Sequence, residues 1–368
     1  MWPTTGGRPT LANLITAEGR VTVGLDVSDR HSHVCVLDSE GEVLEESKIR
    51  TTPEGVANRF KTMSPARVAL EVGTHSAWVH RLLEDLGHEV IVANARKLRM
   101  IFQSDTKNDK ADALMLAKVA RMDPDLLSPI QHRSAQAQQD LAILRARDAL
   151  VRSRSKLINH VRGAVKSMGG RIAAMSADSF GTKAEEQLPG CLRPALQPVL
   201  EVIRKLTEQI RQEDRAAEEA AELRYPQTRT LQQISGVGPV TSLAFVLTLG
   251  EAGRFESSRQ VGAYLGLRPR QSQSGEHDPE LRITKAGDGL LRRLLVSSAH
   301  YILGAFGPDT DLRRWGLKLA SGGKTAKKRA IVAVARKLSV LLHRLWVTSG
   351  TYEPLRNAKE TRTMTSGK

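Results

Sequence analysis

The sequence predicts an α/β amino-terminal domain, a middle built of long helices, and a mainly α carboxy-terminal domain. Three observations lead there. Between residues 21 and 93, short apolar runs with turn residues between them alternate with helix-length stretches. From about Ser134 the period lengthens, and apolar residues recur at three- and four-residue spacing over long stretches. Beyond Pro226, which breaks the second long helix, residues 228–348 read as shorter helices with loops between them. A chain of 368 residues is long enough for two or three such domains.

In order along the chain, residues 1–19 are rich in Gly, Pro and Thr and are expected to be disordered. The runs 21–28, 33–38 and 43–51 read as three strands, split by Asp29-Arg30 and by residues 39–42. Residues 53–63 read as a short helix and 67–72 as a strand. A helix follows over 76–86, closed by Gly87, and then a strand over 89–93. Three hairpin-like strands followed by alternating helix and strand match a ribonuclease H-like layout, expected over 20–128.

A helical, coiled-coil middle is expected over 129–226. One helix carries Leu141, Leu144, Asp148, Val151, Ser155, Ile158 and Val165 on a single stripe, and a second carries Val199, Ile203, Leu206, Ile210, Ala217 and Ala221. The first is basic and the second acidic, so either they pair or the basic one meets nucleic acid. The carboxy-terminal domain is expected over 227–350, with a polar, disordered tail over 351–368.

Charge narrows the function classes. There are 55 Lys and Arg against 40 Asp and Glu, a net charge of +15. From Thr228 onward 23 basic residues stand against 10 acidic ones, whereas residues 1–227 are nearly balanced. A polyanionic partner follows, drawn mainly by the last third of the chain. With only Cys35 and Cys191 there is neither a disulfide framework nor a thiolate metal site. Aromatic residues make up 4%, too few for a base-stacking platform. No apolar run reaches membrane-spanning length and the start has no signal-type apolar core, so a cytoplasmic, nucleoid-associated protein is expected.

Four carboxylates carry the candidate chemistry. Asp26 ends the run from Val21, Glu71 ends the run from Arg67, and Asp109 and Asp112 lie three apart at the start of a helix-like stretch. Each alone is readily a turn or helix-start residue. Two strand-end acids and one helical pair can converge on a point, and oxygen donors select hard cations. His31 and His33 alternate on a strand with no further ligands nearby and are read as structural.

Nucleic-acid contacts are expected in the basic third. Gly236 and Gly238 mark a turn of helix-hairpin-helix type, which can aim backbone N–H groups at a phosphate. Arg268, Arg270, Lys285, Arg292, Arg293, Lys324, Lys327 and Lys328 supply cations. The stretch Gly323-Lys324-Thr325 lacks the first glycine and the preceding strand of a nucleotide-binding phosphate loop. Ser274, followed by Gly275 in a basic loop, is by itself a turn residue; no triad spacing links it to His277.

The ordered series Val23–Asp26, Leu70–Thr74, Lys107–Ala113, Ile234–Pro239, Ala263–Arg270, Ser274-Gly275, Ile283–Asp288 and Leu290–Leu295 resembles the DEDD-type transposases of insertion sequences, the IS one-ten family with its IS eleven-eleven branch. The resemblance spans about Val21 to Gly350. It implies a RuvC-like domain in which Asp26, Glu71, Asp109 and Asp112 bind magnesium, with manganese as an alternative, and in which Ser274 is the nucleophile. It further implies donor and target double-stranded DNA as substrates, a bridge RNA as guide, and a dimer or tetramer with composite sites. Two segments depart from the family pattern: Asn108 and Lys110 stand where threonine and arginine are usual, and the order after Glu71 is Val-Gly-Thr. Neither change removes a carboxylate. Ser272 is a neighbouring hydroxyl, and the Ser-Gly register favours Ser274. Two other readings share these features: a structure-selective endonuclease of Holliday-junction resolvase type that uses water as nucleophile, and a non-catalytic architectural protein.

Overall fold

The computed structural model describes residues 21–94, 108–272 and 281–356. The two ends expected to be disordered, apart from residues 351–356, lie outside the described residues, as does Ser274. The chain divides into two compact units, residues 1–133 and 134–368.

The first unit is a five-stranded sheet in the order β3-β2-β1-β4-β5. Strands β1 (Thr22–Asp26), β2 (His31–Leu37) and β3 (Val43–Arg50) form an antiparallel meander, and β4 (Arg67–Glu71) and β5 (Glu89–Ala93) add parallel to β1. Such parallel additions need crossovers. Helices α1 (Pro53–Phe60) and α2 (Ser76–Asp85) supply them. Alternation decides the two faces. Val23, Leu25, Val34, Val36, Val68 and Leu70 pack with Val56, Phe60, Val79 and Leu83 of α1 and α2. The intervening residues face the other way, where Ala69, Ile91, Cys35 and Leu37 meet α3 (Asp109–Met122) through Ala113, Leu116, Ala117 and Ala120. Because β1 and β4 carry buried side chains on both faces, their sequences read as continuous apolar runs.

The second unit is helical. Helices α4 (Ala135–Ser167) and α6 (Arg193–Arg224) run antiparallel. Asp140 pairs with Arg224, Arg147 with Asp214, and Arg154 with Thr207, so partners descend on one helix as they ascend on the other. The basic and acidic helices thus pair within one chain. At one end Ile158, Val161 and Val165 share a core with Leu196, Leu200, Ile203 and Phe180 of the short helix α5 (Ala177–Lys183). At the other end Leu141, Leu144, Ala217 and Ala221 enter a larger core with α8 (Pro239–Leu249), α10 (Gly289–Leu303) and α12 (Lys324–Thr348). The sequence separates residues 129–226 from 227–350. In the structure the long helices and the carboxy-terminal helices share that core and form one unit, since neither could bury its apolar stripe alone.

Helices α7 (Thr228–Leu231), α9 (Ser258–Tyr264) and α11 (Asp311–Ala320) complete the unit. Residues 351–356, expected in the mobile tail, are tied down. The Tyr352 amide donates to Gln233 Oε1, and the Pro354 carbonyl accepts from the Asp311 amide.

Candidate active site

Glycine at position 24 sets the site. A Cβ there would lie 1.9 Å from the Ala113 carbonyl oxygen and 2.6 Å from the Ala117 amide nitrogen. The first turns of α3 therefore lie directly on β1, two residues before Asp26. Asn108 caps α3, its side chain accepting from the Lys110 amide, and places Asp109 and Asp112 in the first turn, where acids suit the helix dipole. The far end of α3 is held by Arg67, which donates to the Ala120 carbonyl at 3.2 Å and pairs with Glu89.

Register brings further residues into line. Leu25 is paired with Leu70, so Asp26 and Glu71 stand one step on, at the ends of neighbouring parallel strands. Both fall on the α3 face by alternation with Gly24 and Ala69. Asp26 is opposite His33, and His33 is opposite Lys48. One row on the α3 face thus runs Lys48, His33, Asp26, Glu71 across four strands. His33 Nε2 is 4.0 Å from Asp109 Oδ2.

The structure therefore places the four expected acids at one end of one face of the sheet. For a hard divalent cation the donor chemistry fits, with carboxylate oxygens and no thiolate. Among the described residues, however, no group of three or more His, Cys, Asp or Glu side chains is arranged to hold a metal ion, so the acids do not close around one point. His33, read from the sequence as structural, stands in this row, as does Lys48, which the sequence did not single out. The signal was the strand alternation that puts His33 across from Asp26.

In the second unit the expected phosphate contacts separate into two groups. Arg268, Arg270, Lys285, Lys324, Lys327 and Lys328 are exposed. Arg268 and Arg270 lie on an edge paired with residues 282–284: the Arg270 amide donates to the Arg282 carbonyl and the Thr284 amide to the Arg268 carbonyl. The chain between those edges includes residues 273–280, and hence Ser274, outside the described residues; Ser272 is exposed. Lys285 adopts φ 55°, with its amide on the Gly266 carbonyl.

Four of the features expected to meet phosphate also have partners or packing roles within the fold. Arg292 is a clamp within the fold: its guanidinium donates to the carbonyls of Leu265 and Gly287, and burial lowers its pKa. Arg293 is exposed and pairs with Asp148. Gly236, at φ +92°, is needed for packing, since a Cβ would meet the Tyr301 ring at 2.8 Å. The helix-hairpin-helix reduces to the single turn of α7 before α8, and α8 is buried along Thr241–Leu249. Of the two glycines Gly238 is the exposed one, at an α8 start that no side chain caps.

Comparison with known proteins now bears on this arrangement. Residues 23–169 match the DEDD model of IS110 transposases, and residues 228–311 match the model described as "Transposase IS116/IS110/IS902 family". The transposase for insertion sequence element IS1111A of Coxiella burnetii is 27% identical over 90% of this chain and 90% of its own length. A probable family 20 transposase of Pseudomonas aeruginosa is 27% identical over 90% of this chain and 98% of its own. A pilin gene-inverting protein of Moraxella lacunata is 31% identical over 32% of this chain and 35% of its own. The first family model covers the sheet unit and continues through α4, and the second lies within the second unit; the chain belongs to the IS110 family: it is a transposase of an insertion sequence, an enzyme that acts on DNA.

Proposed function

We propose that this transposase is a site-specific recombinase that moves its element by metal-dependent cleavage and strand exchange through Ser274, with its DNA sites chosen by pairing to a bridge RNA. The observation that carries the reading is the placement of Asp26 and Glu71 at neighbouring strand ends, under a helix start that bears Asp109 and Asp112. Those carboxylates would hold Mg2+, or Mn2+ in its place. Such an ion supplies positive charge against a scissile phosphate and its developing negative oxygens. The Ser274 hydroxyl loses its proton and attacks phosphorus, the bond from phosphorus to the 3′ oxygen breaks, and that oxygen takes up a proton. The resulting serine phosphodiester keeps the energy of the broken bond, so a 3′ hydroxyl of the other duplex can reverse the step and seal the exchange.

A relative named for inverting a gene favours exchange over hydrolysis, because inversion requires that every cut strand be rejoined. Arg268, Arg270, Lys285, Lys324, Lys327 and Lys328 then position the DNA backbone without reading sequence, and Gly238 offers an uncapped helix start. Low aromatic content leaves little means of stacking on unpaired bases, and in this reading sequence is read by the guide's own base pairing. The working form in this reading is a cytoplasmic, nucleoid-associated dimer or tetramer in which one subunit's serine completes another's acidic site.

Ser274→Ala tests the proposal. It should abolish both strand exchange and the covalent protein–DNA adduct, while Ser272→Ala retains both. Exchange that survives in Ser274→Ala would overturn the serine assignment. Wild-type protein that cuts DNA with metal but never forms an adduct would instead favour the resolvase-type enzyme, with water as nucleophile.

A further inference from the structure

Beside the acids, on the same face of the sheet, lies a pocket of about 250 Å³ whose lining includes His33, Cys35, Glu46, Lys48 and Lys110. It holds the basic half of the row that Asp26 and Glu71 end. Lys48 and His33 are cross-strand neighbours, and His33 and Asp26 are cross-strand neighbours. With strands ~4.8 Å apart, Lys48 is rooted roughly 10 Å from Asp26. Lys110 comes from the first turn of α3, between Asp109 and Asp112. Lys48 and Lys110 are exposed, so their ammonium groups are free to move onto a ligand.

We propose that this pocket is a phosphate subsite, which holds the phosphodiester next to the scissile one on the DNA strand being cut. The inference rests on the recombinase reading of the acids. Four carboxylates at one sheet end repel a polyanion, and a strand entering there needs cations beside the acids to hold its neighbouring phosphate. Lys48 and Lys110 supply two charges. The His33 imidazole supplies an N–H donor in either protonation state. Glu46 also lines the pocket. It is exposed, so water screens it, and the two lysines leave the lining net positive. At ~30 Å³ per liquid water, the volume accommodates a phosphate group with several waters around it.

The test couples the protein to individual phosphates. Full-length protein, with a transcript of the element's flanking non-coding segment, is titrated against a duplex of the element's own end. Single methylphosphonates step across the cut region. Lys48→Ala should weaken binding about five- to tenfold and lower the salt slope by ~0.9. One methylphosphonate next to the cut position should weaken the wild type by a similar factor and leave Lys48→Ala almost unchanged. Lys48→Glu should weaken binding further, with a far-ultraviolet spectrum like that of the wild type. Methylphosphonate effects that are equal in wild type and Lys48→Ala at every position would overturn the subsite. DNA cutting that persists with no such coupling sinks the subsite and spares the recombinase. Coupling in a wild-type protein that never cuts or exchanges DNA does the reverse.

Discussion

At Gly24 the distance between sheet and helix is fixed by the lack of a side chain. The atoms that a Cβ would strike are backbone atoms of α3, so no rotamer change can relieve the clash. Gly24→Ala must push α3 outward, and overpacking of this kind costs about 3 kcal/mol. It would also carry Asp109 and Asp112 away from Asp26. The expected outcome is a clearly lower melting temperature together with lost strand exchange; unchanged thermal unfolding would refute the packing argument. Residues of this kind divide in how far the sequence exposes them. The strand-end positions of Asp26 and Glu71 could be read directly, because a charge at the end of an apolar strand stands out. The place of His33 beside them could not, because it depends on the β1–β2 register that sets it opposite Asp26. The internal bonds of Arg292 were hidden for a related reason: the carbonyls it binds, Leu265 and Gly287, come together only in the fold.

Between elements, the pairing of α4 with α6 depends on buried polar residues that periodicity alone would assign to the surface. Asp140 is 1% exposed on α4 and accepts from Arg224, Tyr225 and Gln136. Burial raises its pKa, but these hydrogen bonds outweigh that effect and hold it below the ordinary value. Tyr225 is pushed up to about 12 by burial and by its bond to Asp140. The signs follow from linkage. Asp140 contributes stability above its unfolded pKa of about 3.9, and that contribution is lost as pH falls through the lower folded value. Tyr225, neutral in the fold, contributes below about 10 and loses its contribution as pH rises from there towards 12. The second unit should therefore be most resistant to urea between those limits. Asp140→Ala should cost about 3 kcal/mol near neutrality, at the low end for breaking a buried pair because Arg224 can still reach water. Denaturation midpoints that keep their acid-side slope in Asp140→Ala would show that the network does not set it. The stripe itself was legible, but the polar interruptions were read at Asp148 and Ser155. The buried polar residues are Asp140 and Arg154, because which turn faces the partner depends on where α6 begins.

For the whole molecule, charge was the feature most readable from sequence and the least dependent on fold. Net charge is a sum over residues, whereas a site needs coordinates. The structure adds where some of that charge is placed at a cost. Lys324, Lys327 and Lys328 are exposed in the first two turns of α12, at the positive end of the helix dipole, and the N-cap Gly323 provides no side-chain cap. Lys324, in the first turn, opposes the dipole by roughly 0.3–1 kcal/mol, and Lys327 and Lys328, a turn further on, oppose it less. A helix of 25 residues, with Val334, Leu338 and Leu342 buried, does not need them. Their position makes sense if an anion occupies that end, and DNA phosphate is the anion a transposase meets. Replacing all three by glutamine should therefore move two quantities in opposite directions. The slope of log affinity for DNA against log salt should fall by up to ~2.7, about 0.9 for each lost contact. The melting temperature of the free protein should hold or rise, because the dipole is no longer opposed. A lower melting temperature with an unchanged salt slope would make the lysines structural. The opposite movement of the two quantities would mark them as a phosphate-binding cluster that the fold maintains at its own expense.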